Sequence, residues 1–180
     1  SFDHAVRIAG AQIVEVGNEH GTTLADVEAA LSEQTAAVLH MALDPQPTAD
    51  LSAVAALAHA RGAPVIVDAA AELPPVSNLR AFLEEGADLV IFSGGKAICG
   101  PNDSGILCGR GDLIEAATAQ AFPNPGIGRA LKVSKEQIVG LVYALRRFAN
   151  TDFDAEAARW QDQCQRMCDG LQELTCARAE

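Results

Sequence analysis

Short apolar runs alternate with stretches of helical periodicity along most of this chain. Residues 12–16 (QIVEV) read as a first strand, and Leu24, Val27 and Leu31 then fall at helical spacing with Thr22 or Thr23 placed to cap. Residues 36–42 (AAVLHMA) have the length and apolar content of a buried strand. Pro45 and Pro47 break the chain before Leu51, Val54, Ala55 and Ala58, whose i, i+3, i+4, i+7 stripe marks a helix that Gly62 stops. Residues 65–69 predict another strand, Asn78 a cap for a helix over 79–85, and Gly86 its end. Strands over 88–93 (DLVIFS) and 105–109 (GILCG) flank a loop bearing glycine and proline, and 112–121 is helical.

The segment 122–132 (FPNPGIGRALK) holds two prolines and two glycines and reads as a loop. Ser134 is placed to cap a helix starting at Lys135, with Glu136 or Gln137 near the capping-box position. Ile138, Leu141, Val142, Leu145 and Phe148 form its apolar stripe. A last helix over 153–175 would turn Trp160, Cys164, Met167, Leu171 and Leu174 inward. Short strands alternating with helices predict an α/β fold, with a parallel sheet covered on both faces and right-handed crossovers. The two long terminal helices divide the chain into a sheet domain over 1–132 and connecting helices over 133–180 that lead into a smaller lobe.

A chain of 180 residues supports one sizeable core. Its formal charge of −11 argues against a broad nucleic-acid or anionic-membrane surface, because phosphate affinity comes from lysine and arginine displacing counterions. No apolar run reaches the roughly 18 residues of a membrane span, and the N-terminus has no secretory pattern. It also has no initiator methionine and enters as if in mid-fold, so the expectation is a piece of a longer polypeptide. Five cysteines, an odd count without a secretory signal, point to reduced thiols in the cytoplasm. Cys164 and Cys168 share a helical face, but no second pair or spaced histidine completes a tetrahedral set, and no metal is expected.

The chemistry-bearing residues lie at strand ends. Lys96, in Phe92-Ser93-Gly94-Gly95-Lys96, follows Asp68, in Val65-Ile66-Val67-Asp68, by 28 positions. Ligands of open parallel α/β sheets lie beyond the carboxyl ends of the strands, where an amine and a carboxylate can approach one small molecule. Pyridoxal 5'-phosphate (PLP) takes both, a lysine for its aldehyde and a carboxylate for its ring nitrogen. Ser93 offers a hydroxyl for the phosphate, and Gly94-Gly95 allows close backbone approach. Other readings of the same residues are a β/α-barrel strand with a phosphate-binding glycine loop, and plain solvated loop side chains. The barrel needs more chain than this, and a P-loop fails because Ala97 stands where Ser or Thr would hold magnesium.

The lysine stretch Ala87-Asp88-Leu89-Val90-Ile91-Phe92-Ser93-Gly94-Gly95-Lys96-Ala97-Ile98-Cys99-Gly100-Pro101 resembles that of the fold-type-I PLP enzymes related to L-seryl-tRNA(Sec) selenium transferase. That group includes the D-glucosaminate-6-phosphate ammonia-lyase branch. Further similar stretches are Val67-Asp68-Ala69-Ala70-Ala71-Glu72-Leu73-Pro74-Pro75, Ser104-Gly105-Ile106-Leu107-Cys108-Gly109-Arg110 and Gly128-Arg129-Ala130-Leu131-Lys132-Val133-Ser134-Lys135-Glu136, with the opening Val6-Arg7-Ile8-Ala9-Gly10-Ala11 and Val14-Glu15-Val16-Gly17 similar too. The resemblance implies a three-layer, PLP-dependent transferase-like large domain with a mostly parallel sheet, here truncated at both ends. It also implies Lys96 as the Schiff-base lysine, Asp68 as the ring-nitrogen partner and Ser93 as a phosphate contact. Arg129 is then a candidate ligand for a substrate carboxylate or phosphate, while His40 reads as a buried histidine rather than a pocket residue. The implied activity is elimination or replacement on an amino-bearing small molecule, lyase-like, in a homo-oligomer. Its alternatives are transfer of selenium to seryl-tRNA, which the acidic charge disfavours, and a non-catalytic oligomer-forming role.

Overall fold

The computed structural model describes residues 3–42 and 48–172. Four strands, β1 (Val38–Met41), β2 (Val65–Asp68), β3 (Leu89–Ser93) and β4 (Gly105–Gly109), lie side by side in chain order. The first three are parallel, with Met41 opposite Asp68 and Asp68 opposite Ile91. β4 runs antiparallel to β3, Ser93 facing Gly105. This corrects the all-parallel alternation read from the pattern and agrees with a mostly parallel sheet. The physical reason is the connection: residues 94–104 form a returning loop without a crossover helix, so the chain re-enters the sheet in the opposite sense.

The helices α3 (Leu51–Ala60) and α4 (Asn78–Glu84) supply the two crossovers. Sequential parallel strands joined by crossovers of one hand place both helices on the same face. That face is the core: Val65, Val67, Val90 and Phe92 are almost wholly buried against Leu51, Ala55 and Ala58. Asp50 starts α3 by accepting the Ala53 N–H (2.9 Å), and Gly62, at φ 72°, ends it. A second cluster joins Val54 of α3 to Val27 and Leu31, at the foot of α2 (Leu24–Ala30). The opposite sheet face carries Leu39, Ile91 and Leu107, each more than a third exposed.

Several expectations need correction. Residues 12–16 form no strand; Val14 is exposed, and the segment pairs with no other strand among the described residues. A short helix, α1 (Asp3–Ile8), stands before it, which the pattern did not predict. Asn78 does not cap α4: Ser77 holds the cap position, and the Asn78 amide instead donates to the Glu72 carbonyl at 2.7 Å.

After α5 (Gly111–Gln120), the helix α6 (Lys135–Ala149) buries Ala144 and Phe148 and half-buries Leu141 and Leu145, yet leaves Ile138 and Val142 about half exposed. In α7 (Phe153–Gln172) the expected inward stripe fails, since Trp160, Met167 and Leu171 are exposed. Phe153 alone of that helix joins the core, its ring 4.9 Å from that of Phe148. An amphipathic helix buries its apolar stripe only where something covers it, and none of the described residues covers this one. Leu174 lies outside the described residues.

Candidate active site

Asp68 and Ser93 end adjacent parallel strands at the same, carboxyl edge of the sheet. Because Asp68 pairs with Ile91 and Ser93 is two residues beyond Ile91, their side chains project from the same face. Strand spacing and a two-residue step put their Cα atoms about 8 Å apart. The face they share is the open one, which also carries Leu39 and Ile91. Both residues are half-buried.

Local hydrogen bonds fix the carboxylate. Asp68 Oδ1 accepts the Ala70 N–H at 3.0 Å, an Asx turn that holds the side chain where the strand ends. Its backbone oxygen accepts from Ala42 of the neighbouring strand's end. No hydrogen-bond partner among the described residues occupies Oδ2.

Lys96 stands three residues past Ser93, exposed, on a loop that folds back on itself. Gly94 anchors that loop twice: its N–H donates to the Ser104 carbonyl (2.9 Å), and its own carbonyl accepts from the Gly100 N–H (2.7 Å). The Cys99 N–H closes a turn on the Lys96 carbonyl at 2.8 Å, with Cys99 at φ 57°. A Cβ on Gly94 would collide with Ser104 Oγ and sit 2.8 Å from Leu141 Cδ1, so only glycine permits this approach. Beneath the turn, Ile98 is buried in the core. The ε-amine makes no ion pair among the described residues.

Arg129 makes its own local contacts. Its guanidinium donates to the Pro123 carbonyl and lies 5.4 Å from the centre of the Phe122 ring, over which Lys132 Nζ also sits at 4.7 Å. No hydrogen bond joins it to Asp68, Ser93 or Lys96. It is exposed, and no acidic residue occurs from 116 to 135. His40 pairs with Val67 in the sheet and therefore projects from the face opposite Asp68, where burial pushes its imidazole below the usual range against the opposing influence of Asp50.

The sheet's other end is held by Asp88, which sequence reading took only as the start of a strand. It is 5% exposed. Oδ2 accepts the Val65 N–H (2.7 Å) and contacts His59 Nε2 (2.7 Å), and Oδ1 accepts from Arg110 Nη1 (2.9 Å). Nothing local announces this network, because its partners lie 29, 23 and 22 positions away. Also missed was Asp103, which accepts a hydrogen bond from the Gln137 amide across 34 positions.

Several known proteins resemble this chain in sequence or fold. The family model described as L-seryl-tRNA selenium transferase matches residues 3–160. A D-glucosaminate-6-phosphate ammonia lyase of Salmonella typhimurium is 39% identical over 160 residues, covering 87% of this chain and 41% of that protein. A 5'-C-glycyluridine monooxygenase-decarboxylase of a Streptomyces species is 37% identical, with 90% and 39% covered. An L-seryl-tRNA(Sec) selenium transferase of Desulfovibrio desulfuricans is 31% identical, with 94% and 37% covered. Among solved structures, an archaeal O-phosphoseryl-tRNA(Sec) selenium transferase superposes with a TM-score of 0.62 at 17% identity, with 93% of this chain and 40% of that one covered. Such a likeness speaks for the fold. A methionine gamma lyase of Micromonospora echinospora gives 0.59 at 26%, with 82% and 39% covered. The chain thus spans about two fifths of the length of the curated relatives it matches. With most of its length described by one family model, this chain belongs to the SelA, or L-seryl-tRNA selenium transferase, family.

Proposed function

We propose that this chain carries the lysine-bearing part of a PLP-dependent enzyme that eliminates or replaces a group on an amino-bearing small molecule. One observation supports this above the rest: Asp68 and Ser93 share a face at the carboxyl ends of adjacent parallel strands, and the Lys96 loop leaves the second of them. The residues suit the cofactor. Asp68 has one oxygen tied down and one unclaimed, Ser93 supplies a hydroxyl on the same face, and the glycine-lined loop presents an exposed amine.

In this reading Lys96 holds the cofactor by its amine, Asp68 faces the ring nitrogen and keeps it protonated, and Ser93 donates to the phosphate. When bound, PLP draws electron density from the substrate carbon that bears the amino group. Lys96, once its amine is free, would take the proton from that carbon and could deliver it to the group that departs from the neighbouring carbon with its bonding electron pair. Arg129, without a carboxylate partner among the described residues, receives the substrate's anionic group. Identity to the ammonia lyase exceeds that to the selenium transferases, which favours a small-molecule substrate over an aminoacyl-tRNA. The formal charge of −11 favours it too. Pairing of copies belongs to the same reading and is supported by the exposed apolar residues Val139, Tyr143 and Trp160.

The test is to add PLP to the protein and record its visible spectrum. A lysine-bound cofactor band is expected, lost in Lys96→Ala and displaced in Asp68→Asn; a wild-type protein with no band overturns the proposal. The family model itself favours a second reading, transfer to seryl-tRNA. Binding of tRNA that weakens steeply with salt would carry it, and no binding at low salt removes it.

A further inference from the structure

The Lys96 loop is held from outside as well as by its own hydrogen bonds. Helix α6 backs it through small contacts. A Cβ on Gly140 would lie 3.1 Å from Pro101 Cγ, and one on Gly100 would lie 3.2 Å from Leu141 Cδ1. Among the described residues a single polar link completes this packing. Gln137, at the third position of α6, uses both ends of its amide: Oε1 accepts the Ser134 N–H (2.5 Å), and Nε2 donates to Asp103 Oδ2 at the far end of the loop. Ser134 Oγ in turn accepts the Gln137 N–H at 3.2 Å, closing the helix cap.

The amide orientation is fixed by its surroundings, since one side meets a donor and the other a carboxylate. A glutamate here would serve the cap equally well, and capping boxes use either residue. Only glutamine can also donate to Asp103.

We propose that Gln137 is a positioning residue for Lys96: it locks the loop over 94–104 to the start of α6, so the amine is presented from a loop that moves only with that helix. The proposal rests on the reading of Lys96 as the reactive amine. Residues 122–133, which carry Arg129, lead directly into Ser134. The same link therefore joins the candidate anion-binding segment to the lysine loop.

Hydrogen exchange read by mass spectrometry tests this on the whole chain. In Gln137→Glu the cap persists, but two carboxylates face each other across the former link. The amides of Cys99, Gly100 and Ser104, all hydrogen-bonded within the loop, should exchange faster by on the order of tenfold, as loss of a charge-assisted hydrogen bond implies. Asp103→Ala leaves the cap alone and should open the loop likewise. In Gln137→Glu combined with Asp103→Asn the donor and acceptor are exchanged, and protection should return. A second reading follows the PLP absorbance band: its pH midpoint should shift in Gln137→Glu and recover in the double variant. Unchanged loop exchange in both single variants, or no recovery in the double variant, overturns the proposal. A wild-type protein without the band, but with the loop exchange behaving as expected, refutes the role of Lys96 and leaves the lock standing.

Discussion

Replacing Asp88 should be strongly destabilising, although the residue lies at the end of the sheet away from Lys96. Asp88→Ala removes an acceptor shared by a buried strand N–H, His59 and Arg110. The loss divides unequally. His59 and Arg110 side chains are 44% and 53% exposed and regain water when released, so each contributes little. Val65 is 0% exposed. Its N–H has no such recourse, and an unsatisfied buried donor costs about 1–3 kcal/mol. Adding the charge-assisted bonds at a discount gives about 2–4 kcal/mol for alanine. Asp88→Asn keeps an oxygen for Val65 and should cost about 1–2 kcal/mol.

Urea unfolding at pH 7 measures this as a midpoint lowered by roughly 1.5 M for alanine, taking a slope of about 2 kcal/mol/M. Acid distinguishes the charge from the shape. Burial raises the Asp88 carboxyl, but hydrogen bonds from Val65, His59 and Arg110 outweigh it and hold the group below its ordinary value. A lowered folded pKa gives stability that is complete above the unfolded value, near 3.9, and is lost as pH falls through the folded value. The gap between wild type and Asp88→Asn should therefore be constant above about pH 5 and close below about pH 4. An alanine variant within about 0.5 kcal/mol of wild type, or a gap that ignores acid, would refute the assignment of this network as the staple of the sheet.

Other substitutions probe smaller features. Gly94→Ala drives a methyl into Ser104 and Leu141; PLP affinity measured by absorbance titration should fall at least about tenfold, the scale of a 1.4 kcal/mol distortion. Cys99→Gly relieves a left-handed backbone at φ 57° and should raise the melting midpoint, by up to about 1 kcal/mol of stability. Ser134→Ala loses the α6 cap and should lower stability by about 1 kcal/mol in thermal melts.

The strands were legible because apolar runs such as VIVD and LVIFS are bounded by turn residues, and four of the five predicted strands formed within a residue or two. Residues 12–16 show the same composition without forming a strand, because pairing is a property of two segments and their sequence describes one. The direction of β4 followed the absence of a crossover helix after Lys96, a feature visible in the sequence but outweighed by the regular alternation before it. Asp68 and Ser93 were legible as strand-end polar residues and Lys96 as a residue of the loop that follows, and the strand order that makes the first two neighbours came only from the sheet. The Asp88 network, and the link from Asp103 to Gln137, join residues more than twenty positions apart and have no local signal. The apolar stripe of α7 was read correctly as a stripe, but what would cover it does not lie among the described residues.

The proposed function makes Lys96 the amine that takes the cofactor. Incubation of the protein with PLP, reduction with borohydride and peptide mapping by mass spectrometry tests it most directly. A pyridoxyl group fixed on the peptide containing Lys96, and on no other lysine at stoichiometric cofactor, is the expected result. Labelling spread over Lys132 and Lys135, or none at all, would contradict it.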